Sequence, residues 1–164
     1  MDFEFTEQLE HIVHKAEKYC SSDEHCRASV RAKLLIWGTP RNDIDRIIDY
    51  LCANDFINEE RFSKAYCGSK MRVQQWGKIK MAYQLRSKQI PREIIERTIA
   101  EIDVETYNAT LRDVTIKKWE SLKSETNPRK RYVRLSNYLV SKGFDPEEIR
   151  ESIDTYINNS EEQF

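Results

Sequence analysis

Leu34, Thr39, Ile44 and Ile48 stand at offsets zero, five, ten and fourteen, and the same offsets recur at Leu85, Ile90, Ile95, Ile99 and at Leu139, Phe144, Ile149, Ile153. The copies begin 51 and then 54 residues apart, and Thr39 is the one polar member. A repeat of this length made of helical spacings predicts an array of similar helical units, which presents a long, gently curved surface in place of a single pocket.

The flanking pattern supplies the helices. Leu9, Ile12, Val13, Ala16 and Tyr19 form one stripe and predict a helix over about 6–19. Ser21 and Glu24 have capping-box spacing and are expected to start a second helix, which runs to about Ile36 and ends at Gly38-Thr39-Pro40. A third carries Ile44, Ile47, Ile48 and Leu51 inward. Asn58 then reads as an N-cap, Glu59 and Glu60 complement the positive helix end, and Ile57 and Phe62 occupy staple positions. A fifth helix begins around Trp76-Gly77, and a sixth spans about 92–102. A longer seventh is expected over about 104–124, broken by Asn127-Pro128. After an eighth, Asp145-Pro146-Glu147-Glu148 supplies N-cap, N1 proline and N3 acid for the ninth.

In each copy the offset-five residue falls at N′ of the unit's last helix and the offset-ten residue at N4, so each pair is expected to pin a turn. No segment shows strand alternation, and the chain ends in a short polar tail, Asn158–Gln163. The predicted fold is all-α, an elongated and curved array of three tandem three-helix repeats: 1–56, 57–103 and 104–164.

Composition agrees with a helical array. Charged residues are 34% of the 164, with four Gly and four Pro as the only strong breakers. The start, MDFEFTEQLE, is acidic and polar, the opposite of a secretory leader, and no apolar run approaches the ~20 residues of a membrane span. The expected location is the cytoplasm, where Cys20, Cys26, Cys52 and Cys67 are reduced thiols.

Charge changes the picture further. Residues 1–60 carry 7 Lys and Arg against 13 Asp and Glu, residues 61–98 carry 10 against 2, and residues 99–164 carry 10 against 13. From Arg61 to Arg92 there is no carboxylate. Arg61, Lys64, Lys70, Arg72, Lys78, Lys80, Arg86, Lys88 and Arg92 therefore point to a polyanion or an acidic protein face. Lys70 and Arg72 are 200° apart on a helix, so the nine do not share one face. A second cluster, Arg129, Lys130, Arg131 and Arg134, opens the eighth helix, where the dipole disfavours cations, and is a second candidate contact.

Other chemistry is thin. Cys20, His25, Cys26, Cys52 and Cys67 match no ordinary zinc spacing, and His11 with His14 has no evident third ligand, so no metal and no cofactor is expected. There is no Gly-rich phosphate loop, no nucleophile elbow and no His-Glu-x-x-His, and no catalytic residue is assigned. Trp37 and Trp76 each adjoin a glycine and read as packing at helix junctions, with stacking on a base as the alternative.

Four stretches resemble the RecX regulatory family: Tyr19-Cys20 with Glu24-His25-Cys26-Arg27, Lys33-Leu34-Leu35-Ile36-Trp37-Gly38, Phe56-Ile57-Asn58-Glu59-Glu60-Arg61-Phe62 on to Tyr66, and Trp76-Gly77-Lys78-Ile79-Lys80. The family often has an Asp-Glu pair before Arg-Phe, where this chain has Asn58-Glu59-Glu60. The resemblance implies a curved fold of three three-helix repeats that lies in the groove of the RecA–DNA filament and limits filament growth, ATP turnover and strand exchange. It implies RecA and filament-bound DNA as partners; a monomer without membrane contact is expected. The contact residues expected from charge are Lys70, Arg72, Lys78, Lys80, Arg86 and Lys88. The alternative is a helical module that binds DNA without RecA.

Overall fold

The computed structural model describes residues 3–158. Met1, Asp2 and the polar tail after Asn158 lie outside the described residues. Among the described residues there are nine α-helices and no strand: α1 (Glu7–Ser22), α2 (Arg27–Ile36), α3 (Arg41–Ala53), α4 (Glu59–Gln74), α5 (Lys78–Ser87), α6 (Arg92–Ala100), α7 (Val104–Ser121), α8 (Pro128–Lys142) and α9 (Pro146–Ile153). A π-helical turn, Asp154–Asn158, follows. This is an all-α repeat fold.

The recurring spacing is the imprint of one helix ending used three times. The N–H groups of Thr39, Ile90 and Phe144 donate to the carbonyls of Leu34, Leu85 and Leu139 at 3.1, 3.1 and 3.3 Å. One residue earlier, Gly38, Gln89 and Gly143 donate to Leu35, Arg86 and Val140 at 3.0, 2.9 and 2.9 Å. Those three residues have φ of 75°, 62° and 93°. These are three Schellman turns, with the offset-zero and offset-five residues at the C3 and C″ positions that such a turn brings together. The offset-five residue is then N′ of the next helix and the offset-ten residue its N4, as the staple reading requires. Eleven of the twelve repeat residues are buried and Ile99 is half-buried.

Two N-caps read from sequence are made by side chains. Asn58 Oδ1 accepts from the Arg61 N–H at 3.0 Å, and Asp145 with Glu148 completes a reciprocal capping box on α9. Ser21 and Glu24 do not form the expected box. The Ser21 and Ser22 hydroxyls donate back to the carbonyls of Glu17 and Tyr19, both at 2.8 Å, and α1 runs on to Ser22. Cys26 takes the N-cap position of α2. Asn127-Pro128 opens α8 and does not break α7, which already ends at Ser121.

The chain packs as two compact units, one formed by residues up to Tyr66 with Leu85–Ile95, the other by Cys67–Gln84 with Glu96 onward. The first has a core of Leu9, Val13, Ala16, Val30, Leu34, Ile44, Ile47, Ile48, Leu51 and Ile57. Trp37 packs against it, edge-on to Tyr19 at 5.8 Å. The second has a core of Tyr107, Leu111, Val114, Leu135, Leu139, Phe144, Ile149, Ile153 and Ile157. Inside it the hydroxyls of Thr115 and Ser152 satisfy each other at 2.9 Å, so that core holds a polar pair without an orphan.

Candidate functional site

In the second unit the start of α5 meets the end of α8. The Gly77 N–H donates to the Lys142 carbonyl at 2.8 Å and the Ile79 N–H to the Gly143 carbonyl at 3.0 Å. Donors left over at one helix start thus satisfy acceptors left over at another helix end. The approach is close: a Cβ added to Gly77 would lie 2.3 Å from the Gly143 carbonyl oxygen, and one added to Gly143 would lie 2.2 Å from the Lys80 Cβ. Tyr107 braces the contact from below. Its hydroxyl accepts from the Lys78 N–H at 3.2 Å and donates to Glu148 at 3.1 Å, and burial pushes its pKa up.

This joint gathers lysines. The negative end of α8 draws ammonium groups as well as the α5 N-terminus. Lys80 Nζ donates to the Ser141 carbonyl at 3.1 Å, and Lys142 Nζ donates to the Gln74 carbonyl at 2.8 Å. Lys70 and Lys80 lie 5.0 and 4.8 Å from the centroid of the half-buried Trp76 ring. Lys118 and Lys142 lie 4.5 and 5.5 Å from the Tyr138 ring, and Lys78 is 4.5 Å from that of Tyr107. Each ammonium has three donors, so a carbonyl contact leaves two for an incoming anion. The aromatic faces hold the ammonium groups by cation–π attraction and limit their freedom before any ligand arrives.

The sequence-predicted cations divide. Lys70, Lys78 and Lys80 come together at this joint, and Arg72 is exposed on the last turn of α4. Lys64, Arg86 and Arg92 are exposed, and Lys88 Nζ lies 5.5 Å from the Tyr66 ring. Arg61 is committed to the fold: it is ion-paired with Glu24, bonds Asp55 Oδ2 at 2.9 Å and donates to the Asp55 carbonyl at 3.0 Å. In the α8 cluster, Arg131 lies 3.6 Å from the Trp119 centroid and donates to its carbonyl at 2.8 Å, while Arg134 pairs with Glu125 at 3.3 Å. Arg129 and Lys130 of that cluster are exposed.

Sequence reasoning missed Lys118 and Lys142. A signal for Lys142 existed, because it occupies the repeat register of Lys88, one residue before the left-handed position of the same turn. Lys118 has no such equivalent.

Among the described residues no group of three or more His, Cys, Asp or Glu is gathered as a metal site requires, and no helix is long and apolar enough to cross a membrane. Burial pushes the Cys20 and Cys67 thiols up to about 11, away from the reactive thiolate. What the arrangement can do chemically is bind anions beside aromatic faces.

Profiles described as the RecX second and third three-helix domains match residues 58–99 and 105–153. The chain is 30% identical over 149 residues to a protein named Regulatory protein RecX from Prosthecochloris aestuarii, spanning 90% of this chain and 94% of that one. It is 30% identical over 138 residues to the same-named protein of Clostridium acetobutylicum, covering 82% of this chain but 62% of the longer relative. In fold it is similar to a crystal structure of regulatory protein RecX (TM-score 0.77, 18% identity, 92% of this chain and 79% of that one). The crystal structure of RecX from Lactobacillus salivarius gives the same TM-score of 0.77, with 21% identity over 88% of this chain and 93% of that one.

Proposed function

Because the chain belongs to the RecX family of regulatory proteins, we propose that it binds the filament that RecA forms on DNA and restrains its recombinase, ATPase and coprotease activities. In that reading it is a cytoplasmic monomer serving DNA repair, recombination and the SOS response, and it works by occupancy, without catalysis, metal or cofactor. The observation that carries the reading is the joint of α5 and α8, where Lys70, Lys78 and Lys80, from the stretch free of carboxylates between Arg61 and Arg92, and Lys142 from α8 are held on aromatic rings. A fixed cationic strip suits a nucleoprotein polymer, since each phosphate met releases counterions and adds a salt-dependent increment of affinity.

The test is co-sedimentation with RecA filaments and RecA ATPase turnover for the wild-type chain and for Lys70→Glu/Arg72→Glu. The charge-reversed chain should keep its helical circular dichroism, since both side chains lie outside the core, and should lose most of its inhibition. The salt slope of its binding should fall by about 0.7–0.9 for each phosphate contact removed. Unchanged inhibition defeats the assignment of the strip. Tight, steeply salt-dependent binding to DNA without RecA would favour a stand-alone DNA-binding module.

A further inference from the structure

The second helix of each three-helix set has a composition of its own. Helices α2, α5 and α8 contain no Asp or Glu and carry three, three and five Lys or Arg. Each also leaves large apolar side chains in water: Leu35 46% and Ile36 77% exposed on α2, Ile79 54% and Tyr83 60% on α5, Val133 48% and Val140 54% on α8. The positions correspond. Ile79 and Val133 each lie six residues before the turn leucine, and Leu35 and Val140 lie one residue after it.

The three helices differ in what surrounds the charge. On α2, Arg31 is paired with Asp45 and Arg27 lies 3.9 Å from Asp49, while Lys33 lies 5.4 Å from the Tyr19 ring. On α5, Lys78 and Lys80 lie against aromatic rings and a backbone carbonyl and keep their charge unneutralised. On α8, Arg129 and Lys130 are exposed. The larger surplus of positive charge beside exposed aliphatics therefore belongs to α5 and α8.

Phosphates explain the cations but give no reward for Ile79, Val133 or Val140, because nucleic-acid interfaces are strongly polar and charged. Protein interfaces instead bury an apolar centre inside a charged rim. We propose that α5 and α8 are protein-docking helices, each seating its aliphatic side chains in apolar recesses ringed by carboxylates on the partner. This rests on the filament reading above and assigns its protein-facing part, the complementary charge naming an acidic protein surface as the occupant.

The experiment uses the full chain and the variant Ile79→Ser/Val133→Ser. Binding is measured twice, to RecA filaments on poly(dT) by co-sedimentation and to the same DNA alone by anisotropy. Substitutions at exposed positions leave folding nearly unchanged, and Ile79→Thr/Val133→Thr serves if the serine variant loses its thermal transition. Affinity for the filament should drop by about tenfold or more, while affinity for DNA alone stays within about twofold. A variant that binds filaments like the wild type overturns the docking face and leaves the filament reading standing. Parallel loss on DNA alone overturns it too, by making the face a nucleic-acid contact. Failure of the wild-type chain itself to sediment with filaments removes both readings together.

Discussion

The corner at Gly38 and the corner at Gly143 are the same turn in different surroundings. Both residues have left-handed φ, 75° and 93°, and both close the same pair of backbone bonds. Around Gly38 a Cβ would meet nothing within 4 Å among the described residues, whereas at Gly143 it would run into Lys80. Gln89 holds the third copy of the turn at φ 62° with a full side chain. The turn therefore does not require glycine, although glycine makes it cheaper. Gly143 is needed for a second reason, the approach of α5, and only one of the three corners carries that extra duty.

The largest expected effect follows from this contrast. Gly143→Ala forces a Cβ to 2.2 Å from the Lys80 Cβ and 2.5 Å from its backbone nitrogen, and Gly77→Ala forces one to 2.3 Å from the Gly143 carbonyl oxygen. Backbone atoms cannot step aside as a flexible side chain can, so the joint must open and release its two backbone bonds. Each variant should lose roughly 3 kcal/mol or more in urea unfolding. The double variant should cost clearly less than the two singles combined, since both open one contact. Additive losses would show that the glycines act separately.

That joint was the least legible part of the molecule. The turn residues could be read because the two residues of each pair lie five apart within one local hydrogen-bonded motif. Gly77 and Gly143 lie 66 residues apart and share no periodicity, so nothing along the chain announces that they touch. The same holds for the carbonyls that Lys80 and Lys142 reach, which belong to the backbone and leave no residue signature. Charge counting found Lys70, Lys78 and Lys80 because a run without carboxylates is visible in any order. It also admitted Arg61, whose partner Glu24 lies 37 residues away. The false box at Ser21 and Glu24 has a different cause: serine hydroxyls cap forward or bond backward to carbonyls one turn earlier, and the spacing alone does not choose.

Gly38→Ala sharpens the comparison at intermediate size. With open space around the added methyl, only the left-handed backbone is penalised, and the loss should be about 1 kcal/mol. Filament affinity should stay at the wild-type level, because this corner takes no part in the α5–α8 contact. A loss matching that of Gly143→Ala would mean that the turn itself, and not the joint, sets the glycine requirement.

The smallest effect has the opposite sign and concerns the residue that departs from the repeat. Where the other copies place Ile90 and Phe144, the first places Thr39, 5% exposed, with its Oγ1 buried and without a hydrogen-bond partner among the described residues. Burying a hydroxyl without a partner sacrifices its bond to water and gains nothing in return. Valine has nearly the shape of threonine and replaces that hydroxyl by a methyl, so Thr39→Val should raise unfolding stability by about 1 kcal/mol. Its backbone N–H keeps its bond to the Leu34 carbonyl, so the turn itself stays unaltered. Urea unfolding at constant m-value is the measurement that isolates the change. A loss of stability would mean that the hydroxyl does find a partner, a trapped water being the simplest, and that the first corner tolerates its polar member because the turn had a use for it.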